Sequence, residues 1–124
     1  MKIQWLVLIL VFVVQGCAHK LSVGGTQVGT ASWYGETHHG RTTANGEKFN
    51  MNALTAAHRK LPMNSTVRVK SLTTGKSVTV RINDRGPYSG GRIIDVSKEA
   101  ARQLGFLQKG TDRVEIEVLS TPVR

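Results

Sequence analysis

Two runs in the middle of the chain alternate apolar and polar residues with period two, and a third does so near the end. Val67 and Val69 oppose Arg68 and Lys70; Val78, Val80 and Ile82 oppose Thr79, Arg81 and Asn83; Val114, Ile116 and Val118 oppose Glu115 and Glu117. In an extended strand successive side chains point to opposite faces, so each run lays one branched apolar face on a common core and turns the other to water. A helix cannot satisfy that pattern. With 124 residues there is room for one such core and little beside it.

Three further strand-like runs, Thr30 to Tyr34, Leu54 to His58 and Arg92 to Val96, join Thr66 to Leu72, Ser77 to Asn83 and Arg113 to Leu119. Thr73-Thr74-Gly75 between two of them predicts a hairpin loop. Leu54 to His58 fits either helix or strand, although Pro62 would soon stop a helix. One helix is predicted over Lys98 to Leu104: Ser97 suits its N-cap, Gly105 its C-terminal stop, and Ala100, Ala101 and Leu104 share a face. Thirteen glycines and an aromatic content of 6% fit a turn-rich β structure better than a helical bundle. Taken alone, the residues imply a small, mostly antiparallel β barrel or sandwich with one helix.

The N-terminus fixes the compartment. Met1-Lys2 precedes an apolar stretch from Ile3 to Val14, broken only by Gln4. It is shorter than the ~20 residues that span a bilayer core and suits an export signal. It ends in Val14-Gln15-Gly16-Cys17, which resembles the lipobox of bacterial lipoproteins, with Gln15 departing from the usual small or apolar residue. The expected organisation is a signal peptide over residues 1–16, a lipid-anchored flexible tether over 17–28 containing Gly24-Gly25, and a folded domain over 29–120. Cys17 is the sole cysteine, so no internal disulfide can form, and acylation accounts for it. By resemblance to lipoprotein sorting rules, Ala18 after the cysteine points to the outer membrane, facing the periplasm.

A formal net charge of +9 attracts any polyanion. Export removes nucleic acid from the expected partners, and the chain has no stacking array of aromatic and basic residues of the RNA-binding kind. The partners that remain are carboxylate-bearing wall polymer and the membrane reached through the lipid anchor.

Three strings carry a more specific signal in combination: GTASWYG at 29–35, HGRTTANGEKFNMNALTAAHRKLP at 39–62 and VRINDRGPYSGGRIIDVS at 80–97. Their order and spacing resemble the rare lipoprotein A family over nearly all of residues 29–119. The resemblance implies a six-stranded double-psi β-barrel, the fold of the first domain of expansins. It also implies a lytic transglycosylase that cuts peptidoglycan glycan strands, prefers strands without stem peptides, leaves 1,6-anhydro-muramyl ends and acts in cell-wall remodelling and cell separation. Many members carry a C-terminal glycan-binding repeat domain; five residues follow Leu119 here, so targeting by such a domain is not expected.

Cleaving a glycosidic bond needs a proton donor at the leaving oxygen and a group that stabilises an oxocarbenium-like centre. Where the sugar's own C6 hydroxyl attacks, one carboxyl group can give the proton and then retrieve it. Glu115, Glu117, Glu99 and Asp112 are assigned to structure, leaving Glu47, Asp84 and Asp95. Glu47 follows the turn pair Asn45-Gly46 and precedes Phe49 and Met51; a carboxyl group beside apolar side chains tends to keep its proton, which suits a general acid. Asp84 ends a strand before Arg85-Gly86-Pro87, where it would stabilise positive charge or orient a neighbour, and otherwise closes an Asx turn.

The resemblance marks Glu47, His58 and Asp84 as the catalytic set, although a lone histidine after Leu54-Thr55-Ala56-Ala57 is more often structural. Asp95 resembles the acid of expansin-related barrels, or else it bonds backbone amides ahead of the helix. Of the adjacent pair Trp33 and Tyr34, one belongs to the core and Tyr34 is assigned to the groove; Arg85 and Asp95 join it as substrate contacts. Adjacent His38 and His39 with Glu47 and His58 lack metal-ligand spacing, so no metal and no other cofactor is expected. The competing function is a noncatalytic, expansin-like lipoprotein that grips the wall.

Overall fold

The computed structural model describes residues 21–122; the proposed signal segment and the Cys17 anchor lie outside them. Strands β1 (Thr26–Tyr34), β2 (Thr55–Ala57), β3 (Thr66–Ser71), β4 (Ser77–Asp84) and β5 (Arg92–Ser97) are followed by helix α1 (Lys98–Leu104) and strand β6 (Thr111–Ser120). The strands close into a barrel in the order β1-β5-β2-β4-β3-β6. Pairs β1/β5 and β2/β4 are parallel and the other four antiparallel. This is the six-stranded double-psi β-barrel that the resemblance implies. Closure leaves no unpaired strand edge.

The alternating runs do what their period requires. Val67, Val69, Val78, Val80, Ile82, Val114, Ile116 and Val118 fill the interior with Ile94, Val96 and Leu61. Each such side chain taken from water contributes about 1.5–3 kcal/mol before entropy is set against it. On the outer face Arg68 meets Glu117 at 2.8 Å. Asp112 is structural, accepting from the hydroxyls of Ser71 and Thr73 at the start of the β3–β4 loop.

The ambiguous segment around Ala56 is a strand. β2 lies between β4 and β5 with all three residues buried, and its backbone bonds go to both neighbours. Helix α1 is capped as its sequence predicts: the Ser97 side chain accepts from the Ala100 amide, and Gly105 takes a left-handed φ of 89°. Its Ala100, Ala101 and Leu104 close one side of the core.

Residues 24–28, expected within the tether, are part of the barrel's hydrogen-bonded structure. β1 begins at Thr26 rather than Gly29, and ahead of it the Gly24 amide donates to the Val118 carbonyl at 2.8 Å while the Val118 amide donates to Gly25 at 3.0 Å. Strand β6 runs on to Ser120, and its backbone groups need partners that residues 24–28 supply.

Both parallel pairs carry an irregularity. Along β1/β5 the register passes from Thr30↔Arg92 to Ala31↔Ile94, leaving Ile93 as an extra residue. Along β2/β4 it passes from Ala56↔Ile82 to Ala57↔Asp84, leaving Asn83 as the extra one. Such bulges shift the phase of the strand and re-aim the side chain after them. Gly29 makes room for the first: a Cβ there would lie 2.6 Å from Ile93 Cγ2.

Candidate active-site groove

Each bulge is followed by an aspartate, and the two aspartates share a row across the barrel wall. Asp84 pairs with Ala57, Ala57 pairs with Asp95 on its other side, and Asp95 pairs with Ser32. Adjacent strands are spaced about 4.8 Å, so the two aspartate backbones stand roughly 10 Å apart with one alanine between them. A methyl group on that floor leaves a trough. The resulting cavity, about 400 Å³, is lined by Trp33, Tyr34, His38, Ala57, Asp84, Arg85, Arg92 and Asp95. That is the size of a small-ligand site.

The two carboxylates are held differently. Asp95 Oδ1 accepts from the Ser32 hydroxyl and forms an ion pair with Arg92 Nη1 at 2.8 Å. Arg92 and Asp95 are three residues apart, a spacing that puts strand side chains on opposite faces; the extra residue Ile93 brings them together. Asp95 bonds no amide ahead of the helix, and its contacts are with the groove wall. Asp84 Oδ1 accepts from the amides of Ala44, at 3.0 Å, and Arg85, at 2.9 Å. Among the described residues no ion pair reaches Asp84, and no hydrogen bond reaches Oδ2 of either aspartate.

Tyr34 lines the same cavity. Its ring stacks on Phe49 at 4.3 Å between centroids and meets His38 edge-on at 5.2 Å. Its hydroxyl is buried with no hydrogen-bond partner. Burial first, then the charges of Asp84 and Asp95, push its ionisation well above the ordinary phenol range, so it stays a donor. Trp33, on the other face of β1, packs against the core and donates from Nε1 to the Leu107 carbonyl at 3.1 Å.

Glu47 does not lie among the lining residues, and it is not a shielded acid. Arg81 reaches it with Nη2 at 2.7 Å and Nη1 at 3.2 Å, and Asn83 Nδ2 donates to Oε1 at 2.7 Å. The Arg81 bonds above all, then that of Asn83, hold its carboxyl below the usual range. The expectation of a proton kept by apolar neighbours fails because Phe49 packs on Tyr34, while Glu47 faces a guanidinium on β4. The loop that carries Glu47 is braced from within and against β4. Thr43 and Glu47 bond across the Asn45-Gly46 turn, the Asn45 amide donates to the Asn83 carbonyl, and the same loop presents the Ala44 amide to Asp84.

His58 is also outside the cavity lining. It is 5% exposed, and its Nδ1 accepts from the amides of Lys60 and Leu61, both at 3.1 Å. That leaves the proton on Nε2, which donates to Gln27 Oε1 at 3.1 Å. Burial, then Arg85, Arg59 and Lys60, lowers its pKa to about 4. Both ring nitrogens are engaged within the fold in this arrangement. Its backbone does serve the groove: the His58 amide donates to the Asp84 carbonyl, and the His58 carbonyl accepts from Arg85 Nη1.

Of the residues picked from sequence, the groove therefore gathers Tyr34, Asp84, Arg85 and Asp95, while Glu47 and His58 are not among its lining residues. Ser32, Ala57 and Arg92 were missed. Ser32 and Ala57 carry no chemical signature in a sequence, and Arg92 pairs with Asp95 only through the bulge.

The model of the lytic transglycolase family matches residues 26–116. A Neisseria meningitidis protein named endolytic peptidoglycan transglycosylase RlpA is 61% identical over 92 residues, which are 74% of this chain and 38% of that protein. A Pseudomonas aeruginosa protein of the same name is 56% identical over 90 residues, 73% of this chain and 26% of the relative. The chain thus spans about two fifths or less of the length of these relatives. Among solved structures, a Streptomyces papain inhibitor superposes with a TM-score of 0.65 at 17% identity, covering 82% of this chain and all of its own. A Clavibacter michiganensis expansin mutant solved with cellohexaose gives 0.62 at 17% identity, over 80% of this chain and 52% of that one. At such identities these two speak for the fold alone.

Proposed function

This chain belongs to the lytic transglycolase family, and from that premise we propose that it cleaves the glycan strands of peptidoglycan with formation of 1,6-anhydro-muramyl ends. The reading extends to a preference for strands without stem peptides and to a role in wall remodelling and cell separation. One observation carries the chemistry: Asp84 and Asp95 border a single cavity across Ala57, and Tyr34, whose buried hydroxyl has no partner among the described residues, lines the same cavity.

The roles divide by their partners. Asp95, ion-paired with Arg92, is the fixed negative charge set against a developing oxocarbenium centre. Asp84, which has no ion pair among the described residues, carries the proton. It protonates the glycosidic oxygen as the C1–O bond breaks, and its carboxylate takes the proton from the muramyl C6 hydroxyl as O6 bonds to C1. No water is consumed, and the carboxyl group ends as it began. Tyr34 donates to a sugar oxygen, and Glu47 and His58 are positioning residues behind Asp84.

The test is digestion of stem-peptide-free glycan with mass spectrometry of the products. Anhydro ends from the natural chain, lost by at least ~100-fold in Asp84→Asn and in Asp95→Asn, are expected. Sedimentation with sacculi and no released fragment would instead favour the noncatalytic, expansin-like role. For location, the proposal is an acyl anchor on Cys17 that holds the domain in the cell envelope at the outer membrane; labelled palmitate should enter the natural chain and not Cys17→Ser.

A further inference from the structure

The cavity has one wall whose charge the proposed chemistry does not use. Arg85 is half-buried at the end of the Ala57 floor, and only its Nη1 is engaged, donating to the His58 carbonyl at 3.2 Å. Its Nε and Nη2 edge has no partner among the described residues. Arg59 and Lys60 follow His58 in the chain, both exposed, and Arg59 Nη2 donates at 3.3 Å to the carbonyl of Arg92, which lines the cavity. None of the three forms an ion pair among the described residues, and Arg85 is the one of them that lines the cavity. Their joint field reaches the buried ring of His58, which all three help to hold neutral.

Cations set near one another repel, and an anion joining them relieves that repulsion. A guanidinium with a free two-nitrogen edge is matched to a carboxylate, which it can bind through two parallel hydrogen bonds. The groove's own carboxylates do not fill that role, since Asp95 is taken by Arg92 and Asp84 forms no ion pair with Arg85.

We propose that Arg85, with Arg59 and Lys60 beside it, forms a carboxylate-reading subsite that takes the free lactyl carboxylate of a muramyl residue lying in the groove. This rests on the glycan reading above and names the side chains that would give it selectivity. On such a polymer the lactyl group is the anion attached directly to a sugar ring, so it is the one that reaches a wall contiguous with the ring's floor. When a stem peptide is joined to it, the carboxylate becomes a neutral amide, and the subsite is left with its charge unmet and a bulky chain to place.

The test is a binding cycle by calorimetry with the full chain in detergent. The ligands are a peptide-free tetrasaccharide of alternating N-acetylglucosamine and N-acetylmuramic acid, and the same tetrasaccharide with its lactyl carboxyls converted to methylamides. The natural chain should bind the amidated form at least roughly tenfold more weakly, the scale of a lost charge-assisted hydrogen bond. In Arg85→Gln the two forms should differ by less than about threefold, and the exposed pair Arg59→Gln with Lys60→Gln should narrow the gap in the same direction. Equal binding of both forms by the natural chain, or an undiminished gap in the variants, overturns the subsite while leaving the glycan reading intact. Failure of the natural chain to bind either form sinks the glycan reading and the subsite with it.

Discussion

Replacing His58 separates a structural from a catalytic histidine through the pH dependence of stability. The folded protein holds its pKa at about 4 against 6.5 for a free histidine, because protonation would put a cation in a buried site, beside Arg85, Arg59 and Lys60, with Nδ1 already accepting two amides. Between those two values the unfolded chain binds the proton and the folded one does not, so acidification favours unfolding. The contribution is fully present above pH 6.5, falls as pH drops through the window, and loses nothing further below about pH 4. At pH 5 the two pKa values give a loss of about 2 kcal/mol relative to pH 7.5. For a domain of this size that lowers Tm by about 8–16 °C.

Thermal unfolding followed by circular dichroism between pH 7.5 and 5 measures it, in the natural chain and in His58→Asn. The asparagine can still accept from the amides of Lys60 and Leu61 but cannot be protonated. Its stability should start lower and then stay nearly flat over the window, since the exposed carboxylates Glu36 and Glu47, whose pKa values are lowered, give way only at more acid pH. A natural chain whose Tm is as flat as the variant's would refute the buried, neutral imidazole.

Tyr34→Phe removes a buried hydroxyl that bonds nothing in the free protein, so thermal stability should hold within about 0.5 kcal/mol or rise, while glycan turnover falls about tenfold. An equal loss of stability would show that the hydroxyl is satisfied within the fold. Glu47→Gln breaks a half-exposed ion pair with Arg81; chemical denaturation should register less than about 1 kcal/mol, and kcat should fall far less than in Asp84→Asn. Gly29→Ala forces a Cβ onto Ile93 and should cost about 1–3 kcal/mol in denaturant titration, with the Arg92–Asp95 arrangement, and therefore kcat, disturbed more than in a core truncation such as Val118→Ala.

Most of the barrel is legible in the chain because its strands carry one apolar face each, and period two survives wherever the pairing is regular. Val78, Val80 and Ile82 could be read as interior without any coordinates, and so could the caps Ser97 and Gly105. The surroundings of Glu47 are illegible for a different reason. Its neighbours in sequence are apolar, but its environment is set by Arg81 and Asn83, far along the chain on β4, and nothing local announces that pairing. For His58 the plain reading, a hydrogen-bonded structural residue, describes the side chain; its amide partners Lys60 and Leu61 lie within three residues, a signal that sequence does contain.

The groove itself was hidden by the same two irregularities that make it. Counting by twos from Arg92 puts Asp95 on the opposite face, and the count is wrong because Ile93 adds a residue that β1 does not match. Asn83 does the equivalent on β4, one residue before Asp84. Both bulges fall in the two parallel pairs, and both parallel pairs meet the short β2–β5 contact where Ala57 is the shared residue. A regular strand would give every second side chain to the core and leave carboxylates scattered over the outer wall. By breaking phase once in each half, the barrel keeps Ile82, Ile94 and Val96 inside while swinging one aspartate from each half toward the same alanine floor. The site is thus a product of pairing irregularities held in place by a core that tolerates them, and period-based reading fails at those two points, as it does along the wholly buried β2.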